Sequence, residues 1–144
     1  MILEPFRMID IDLLRLQGSQ VAQLADVPML SNGYGAFARP LGPALTAHQG
    51  EMILMCAGIA KMAPQIGLCW ALLSENARPH LRTLHKNVIR FLDSWPMRRL
   101  ETSVVEGFEP GCRWVTMLGF QFEGRMRAYD ESGRTHLRYA KIQG

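Results

Sequence analysis

The 144-residue sequence lacks several features that would assign it to a class at once. No apolar run is long enough to cross a bilayer, which excludes a helical membrane span. Three cysteines, Cys56, Cys69 and Cys112, form an odd set without metal-ligand spacing; each lies in or beside an apolar run, where a reduced thiol packs as a small hydrophobe, as in a reducing compartment. His48, His85 and His136 are scattered without ligand spacing, so no metal is expected. Neither sign of charge dominates: 16 Lys and Arg oppose 13 Asp and Glu, and a net +3 carries no nucleic-acid footprint of its own. Met1 to Met8 hold the acidic Glu4 with no long apolar segment behind them, which predicts no secretory leader and a cytoplasmic location in the producing cell. Internal repeats and low-complexity tracts are absent. With 48% apolar and 20% charged residues the chain has the balance of an ordinary globular protein, and its length suits one domain, 1–144, around one core.

The pattern of apolar residues orders the elements. Residues 2–24 predict a strand leading into a short helix. Residues 25–43, with Pro28, Pro40, Pro43 and the turn pair Asn32-Gly33, predict an exposed connection with one short strand near 34–38. This loop is long for a small domain and suggests a lid, a binding surface or a partner contact. Three antiparallel strands follow, at 44–48, 52–62 and 66–74, turning at Gln49-Gly50 and at Ala63-Pro64-Gln65. The second and third are apolar on both faces and belong in the centre of a sheet. Leu81, Leu84, Val88, Phe91 and Leu92 then recur at helical spacing, predicting a helix over 77–94 with Asn76 as its cap and Pro79 in its first turn. A strand at 99–107 and a helix from Pro110 to Leu118, closed by Gly119, come next. Strands at 122–129 and 136–142 complete the chain. Trp70, Trp95 and Trp114 sit at apolar-periodic positions as core or interface anchors, and Met52, Met55 and Met62 read as adaptable core packing.

This order, with Leu118-Gly119-Phe120, Glu123-Gly124, Arg127 and Tyr139-Ala140, resembles the GNAT superfamily of acyl-CoA N-acyltransferases. Within it the chain is most similar to the branch that acetylates ribosomal-protein N-termini, through Arg113, Leu118-Gly119-Phe120, Glu123-Gly124, Arg127, Gly133 and Tyr139-Ala140. The likeness spans residues 44–142. The chain also resembles acetyltransferase-like proteins of tailed phages in its length and in the same helix-strand joint. The resemblance implies an α/β (α+β) fold, a GNAT-type mixed, mostly antiparallel sheet flanked by helices. It also implies an open cleft between the strands ending near Ser74 and Glu106, with acetyl-CoA as the acyl donor if the protein is active and no cofactor otherwise.

In such enzymes backbone amides at the start of the long helix hold the cofactor pyrophosphate, because unpaired N–H groups and the helix dipole favour an anion there. The family pattern, Arg or Gln followed by two small positions, falls on Arg78-Pro79-His80-Leu81-Arg82-Thr83. Arg78 is kept, and Arg78, His80 and Arg82 are the cofactor-binding residues that the resemblance implies. Leu81 and Thr83 replace the small residues, and Pro79 removes an amide. Many members carry an asparagine at the start of the closing helix and a tyrosine one turn before the Gly-Phe, which protonates the departing thiolate; here those positions hold Phe108 and Val115. Glu51, Glu75, Glu106 and His80 could serve as general base, and Glu106 lies nearest to where the resemblance puts the reacting amine. Arg78, Arg82, Lys86 and Arg90 recur four residues apart as a basic stripe, with no interleaved aromatics for base stacking.

Two functional expectations follow. One is an acetyltransferase-like, phage-type protein with a degenerate acyl-CoA site, an assembly or virion-associated component with protein partners and neither a nucleic acid nor a membrane to bind. The other is an acetyl-CoA-dependent N-acetyltransferase acting on a protein amine, with Arg78 and nearby amides on the pyrophosphate and Glu106 as base.

Overall fold

The computed structural model describes residues 1–7, 10, 42–130 and 132–143. The expectations for residues 11–41, including the short helix and the strand near 34–38, lie outside the described residues. Four strands open the order: β1 (Ile2–Pro5), β2 (Ala44–Gln49), β3 (Met52–Ala63) and β4 (Ile66–Leu73). A 3-10 turn, Glu75–His80, leads into helix α1 (Leu81–Asp93), followed by β5 (Arg99–Val105), helix α2 (Glu109–Met117), β6 (Gln121–Met126) and β7 (His136–Ile142). The strands form one seven-stranded sheet in the order β1-β2-β3-β4-β5-β7-β6, in which only the β4–β5 pair is parallel. The expected mixed, mostly antiparallel GNAT-type sheet with its helices is therefore present. Among the described residues no helix is long and apolar enough to cross a membrane.

Chain connections explain the one parallel pair. The two-residue turns after β2 and after β3 permit only antiparallel neighbours, whereas the path from β4 to β5 passes through the 3-10 turn and α1, long enough for a crossover. The central strands are apolar on both faces as the sequence requires: β3 is buried continuously from Ile53 to Ala60. Helix α1 buries Leu84, Val88 and Leu92, one turn apart, in the same apolar cluster as Leu54 and Leu100. At about 1.5–3 kcal/mol for each fully buried side chain, this stripe fixes the helix on the sheet. Gly119 takes φ +99° after α2, a conformation that L side chains rarely adopt, and so turns the chain directly into β6.

Three details differ from the sequence expectation. The helix expected over 77–94 is split, with a 3-10 turn to His80 and α-helix only from Leu81. Pro79 lies inside that turn, where its missing N–H is less costly than in an α-helix interior. The cap is the Ser74 hydroxyl, which accepts from Asn76 N–H at 3.0 Å, not the Asn76 side chain. Of the three methionines only Met55 is in the core; Met52 and Met62, near the ends of β3, are exposed. Trp70 is buried edge-on against Phe6 at 5.3 Å, while Trp95 is exposed.

Candidate functional site

The site is produced by the register of two strands. β4 pairs with β5 only through Ile66↔Arg99, Gly67↔Leu100 and Leu68↔Glu101. Beyond these, β4 stays with β3 as far as Leu73↔Met55, and β5 stays with β7 as far as Val105↔His136. Each strand follows its antiparallel partner, so the two separate and the sheet forks. At the branch point Thr102 Oγ1 donates to the Cys69 carbonyl at 3.1 Å, a side chain continuing where the ladder stops. The closed end is tightly packed: a Cβ added to Gly67 would lie 2.6 Å from Ile59 Cγ2 and 2.9 Å from Met97 Sδ.

The fork opens a cleft of about 520 Å3, walled by both strands, the first turns of α1, and α2. That volume suits a small ligand or the arm of a larger one. The wall is mainly apolar, with Leu68, Trp70 and Val104 among its residues. Three polar features stand out. Trp114 Nε1 donates to His85 Nδ1 at 3.1 Å, linking α2 to α1 across the cleft wall. Arg82 and Arg113 reach the cleft from α1 and α2; both are exposed, and neither has an ion-pair partner among the described residues.

The third feature is His136, 1% exposed, at the start of β7, where it lines the cleft. Its Nε2 lies 3.0 Å from Asp130 Oδ2, and the Tyr129 ring packs at 4.9 Å. Asp130 also accepts from Arg134 N at 2.9 Å and Arg134 Nε at 2.7 Å. Burial works against the Asp130 charge, yet the bonds from the Arg134 backbone, His136 and the Arg134 guanidinium hold the carboxyl well below the usual range. Asp130 is therefore ionised, and His136 Nε2 carries the proton that it accepts. Cys69, also in the wall, is pushed up to about 12 by burial and stays a thiol.

The residues expected from the sequence are divided between the cleft and its surroundings. Arg82 lines the cleft. Arg78, exposed, and His80, half-buried, belong to the 3-10 turn before α1 and lie outside the wall among the described residues. Glu106 follows β5 at the open end of the fork, in a turn. Its carboxylate accepts from Arg125 Nε at 2.6 Å and Nη2 at 3.0 Å, and these bonds lower its pKa. Helical spacing puts Leu81 on the apolar face of a long helix; it is instead 44% exposed and stands in the cleft wall. It is the first residue of α1, whose buried positions are Leu84, Val88 and Leu92, with Ile89 and Phe91 partly buried beside them.

His136 was not singled out by spacing, although Asp130 and Gly133 before it mark a turn that can fold a carboxylate back onto the strand. Spacing makes Trp114 an anchor and does not mark its pairing with His85, since the two are 29 residues apart. Among the described residues no group of three His, Cys, Asp or Glu could hold a metal ion.

Acetyl-CoA fits this arrangement only in part. The cleft has a volume and an apolar lining that suit a pantetheine arm. The pyrophosphate cradle is another matter: Leu81 N–H already donates to the Arg78 carbonyl, Pro79 has no N–H, and Leu81 and Thr83 carry side chains that the family pattern keeps small. The turn before α1 is not built as a row of free amides.

No protein-family model matches the sequence, and a search of curated proteins finds no significant match. Solved structures do match. A ribosomal-protein-alanine N-acetyltransferase from Brucella melitensis superimposes with a TM-score of 0.71 at 15% identity, covering 99% of each chain. The ribosomal-protein-S18-alanine N-acetyltransferase from Escherichia coli gives 0.69 at 13% identity over 99% of this chain and 94% of that one. A probable acetyltransferase from Staphylococcus epidermidis gives 0.76 at 8% identity over 99% of both. The chain has the fold of the GNAT N-acetyltransferases.

Proposed function

We propose that this protein is an N-acyltransferase that takes the arm of an acyl thioester into the β4–β5 cleft and passes the acyl group to an amine, the acceptor being a protein amine. The observation that carries this reading is the fork itself: three paired positions, then an apolar cleft of about 520 Å3. A scaffold used only for assembly has no need to keep two central strands apart, because closing the ladder would satisfy more backbone groups.

In the transfer, the amine nitrogen attacks the thioester carbonyl carbon. The C–N bond forms, the C–S bond breaks, the amine proton passes to a base, and the sulfur leaves as a thiolate that must regain a proton. Attack is direct, because Cys69 is held as a thiol by burial and does not serve as an acyl carrier. Two groups compete for the base. Glu106 is at the open end of the fork, but its bonds to Arg125 lower its basicity. His136 is in the wall and is oriented by Asp130, the arrangement that suits an imidazole for proton transfer. Arg82, with Arg78 and His80 on the turn beside it, faces the donor's phosphate. Phe108 and Val115 can protonate nothing, so the departing sulfur takes its proton from solvent or from the base.

A second reading is kept alive by Leu81 and Thr83: a phage-type assembly or virion-associated component whose acyl-CoA site has degenerated. Calorimetric titration with S-acetyl-pantetheine separates the two. Saturable binding, together with acyl transfer to a peptide amine that falls in His136→Asn, supports the enzyme. No heat at millimolar arm leaves the assembly component standing. In the enzyme, E106Q keeps most of the transfer activity if His136 is the base and loses it if Glu106 is.

A further inference from the structure

We infer that the acyl donor is not free CoA but an acidic carrier protein bearing the acyl group on a 4'-phosphopantetheine arm, with the arm in the cleft, its single phosphate between Arg82 and Arg113, and the carrier on the basic face of α1. This rests on the acyl-thioester reading above and specifies what holds the thioester.

Three observations lead there. The cleft has the volume for an arm, whereas at the turn before α1 two of the amides that would meet a pyrophosphate are unavailable, Pro79 having no N–H and the Leu81 N–H donating to the Arg78 carbonyl. CoA therefore meets its apolar slot and not its anion site, while a phosphopantetheine arm brings one phosphodiester and no pyrophosphate. The second observation is that Arg82 from α1 and Arg113 from α2 both line the cleft and make no ion pair among the described residues. Two guanidiniums lining one slot suit one tetrahedral anion, which they can grip through paired N–H donors without backbone amides.

The third observation is the outer surface. Arg82, Lys86 and Arg90 are exposed, one turn apart along α1, with Arg78 on the turn before it, and none has an ion-pair partner among the described residues. From Leu81 to Leu92 the helix has no acidic residue. On a solvated helix face, opposite charges one turn apart ordinarily offset one another; a run of one sign beginning at the mouth of a ligand slot is complementary to an acidic surface that presents something to that slot. A nucleic acid is the poorer match, since no aromatic residue alternates with these cations and the slot beside them is apolar.

The chemistry is unchanged by the carrier. The amine nitrogen displaces the sulfur, the C–S bond is exchanged for a C–N bond, and the carrier leaves with its arm as the free thiol once the sulfur regains a proton.

The test compares four purified probes by calorimetry: an acyl carrier protein charged with acetyl-4'-phosphopantetheine, the same carrier in its apo form, acetyl-CoA, and S-acetyl-pantetheine. The expected order has the acetylated carrier at least about tenfold tighter than acetyl-CoA, a gain of about 1.4 kcal/mol. That gain is lost on raising salt from 50 to 500 mM, where charges on a surface are screened. Lys86→Glu/Arg90→Glu, both outside the cleft wall, weakens the acetylated carrier about tenfold or more and leaves S-acetyl-pantetheine binding as it was. Circular dichroism establishes that this variant is folded, and the single variant K86E provides a milder form of the same readout. If S-acetyl-pantetheine does not bind, the acyltransferase reading itself fails. If the arm binds but the acetylated carrier is no tighter than acetyl-CoA, only the carrier proposal is overturned. If a 20-base-pair DNA duplex binds the stripe more tightly than the carrier does, the stripe belongs to a nucleic acid and the proposal is likewise overturned.

Discussion

The walls of the cleft and its mouth are determined at different distances along the chain. The walls depend on the pairing of four strands: β4 held by β3, β5 held by β7, and only three positions joining β4 to β5. The mouth, as proposed for a phosphate, depends on six consecutive residues, Arg78 to Thr83, of which Leu81 and Arg82 line the cleft, and on Arg113 from α2. The slot proposed for an acyl arm and a cradle for a pyrophosphate are therefore separable. Point changes in one turn can remove the cradle, whereas closing the slot requires the register of the sheet to change. In this chain the cleft is present while Leu81 and Thr83 depart from the family pattern, so loss of a cradle would be no argument for loss of the slot.

The most disruptive way to break this comparison is at the closed end of the fork. Leu100 has no exposed surface and faces Gly67 across the parallel pair. Leu100→Ala removes a fully buried side chain, with an expected loss of about 2–5 kcal/mol in urea or guanidinium denaturation. Since both walls start from this packing, arm binding should weaken with stability. A variant that loses the stability and binds the arm normally would show that the walls do not depend on the closed end.

A narrower change acts on the walls alone. Ser103, half-buried on β5, lines the cleft, and Ser103→Trp would fill much of its floor. S-acetyl-pantetheine affinity should fall by about tenfold or more, about 1.4 kcal/mol, with little change in melting temperature. If the arm still binds at its original strength, it lies elsewhere.

The difference between walls and mouth also explains what could be read from the sequence. Strands and helices were legible because their residues alternate or recur locally: β3 and β4 appeared as doubly apolar runs, and Gly119 marked the end of α2 through its own backbone need. The fork was not legible in spacing, because it is a property of register between strands separated by a 3-10 turn and a helix; only the resemblance implied it. Leu81 was misplaced for a related reason. Its apolar side chain fits the period of a helix beginning at 77, and only the 3-10 turn around Pro79 moves the start to 81 and turns Leu81 out of the core. His136 escaped attention because a lone histidine opening a strand resembles any other until the turn carrying Asp130 folds back on it. Arg82 and Arg113 both enter the reading of the site through the family pattern, since it is tertiary packing that brings them to one cleft.

The mouth offers the opposite experiment, a gain. Leu81→Gly/Thr83→Gly would return the small residues that the family pattern has there, and acetyl-CoA affinity should rise about tenfold, about 1.4 kcal/mol, with S-acetyl-pantetheine unchanged. Each glycine in the first turn of α1 costs about 1 kcal/mol of helix stability, so affinity and stability should move in opposite directions. Equal gains for both probes would place the effect in the walls and not in the phosphate turn. No gain would mean that Pro79 and the bonded Leu81 amide are sufficient to exclude the pyrophosphate.

The smallest effect concerns the one wall residue with a buried charge behind it. Asp130 has a native pKa well below its ordinary value of 3.8, because hydrogen bonds from Arg134 and His136 outweigh the opposing effect of burial. A group whose folded pKa is depressed adds stability that is present above its unfolded pKa and is lost as pH falls through the folded one. At neutral pH the wild type should therefore be more stable than Asp130→Asn. Its advantage should shrink as pH falls below about 4, while the variant, having no proton to take up at that site, changes less over the same interval. Denaturation midpoints between pH 7 and pH 2 would show the two curves converging towards acid. Arm affinity measured on the same samples at pH 7 separates the roles: if Asp130 only supports the turn, binding by Asp130→Asn matches the wild type. Acyl transfer should nevertheless fall, because His136 has lost the carboxylate that fixes its proton on Nε2.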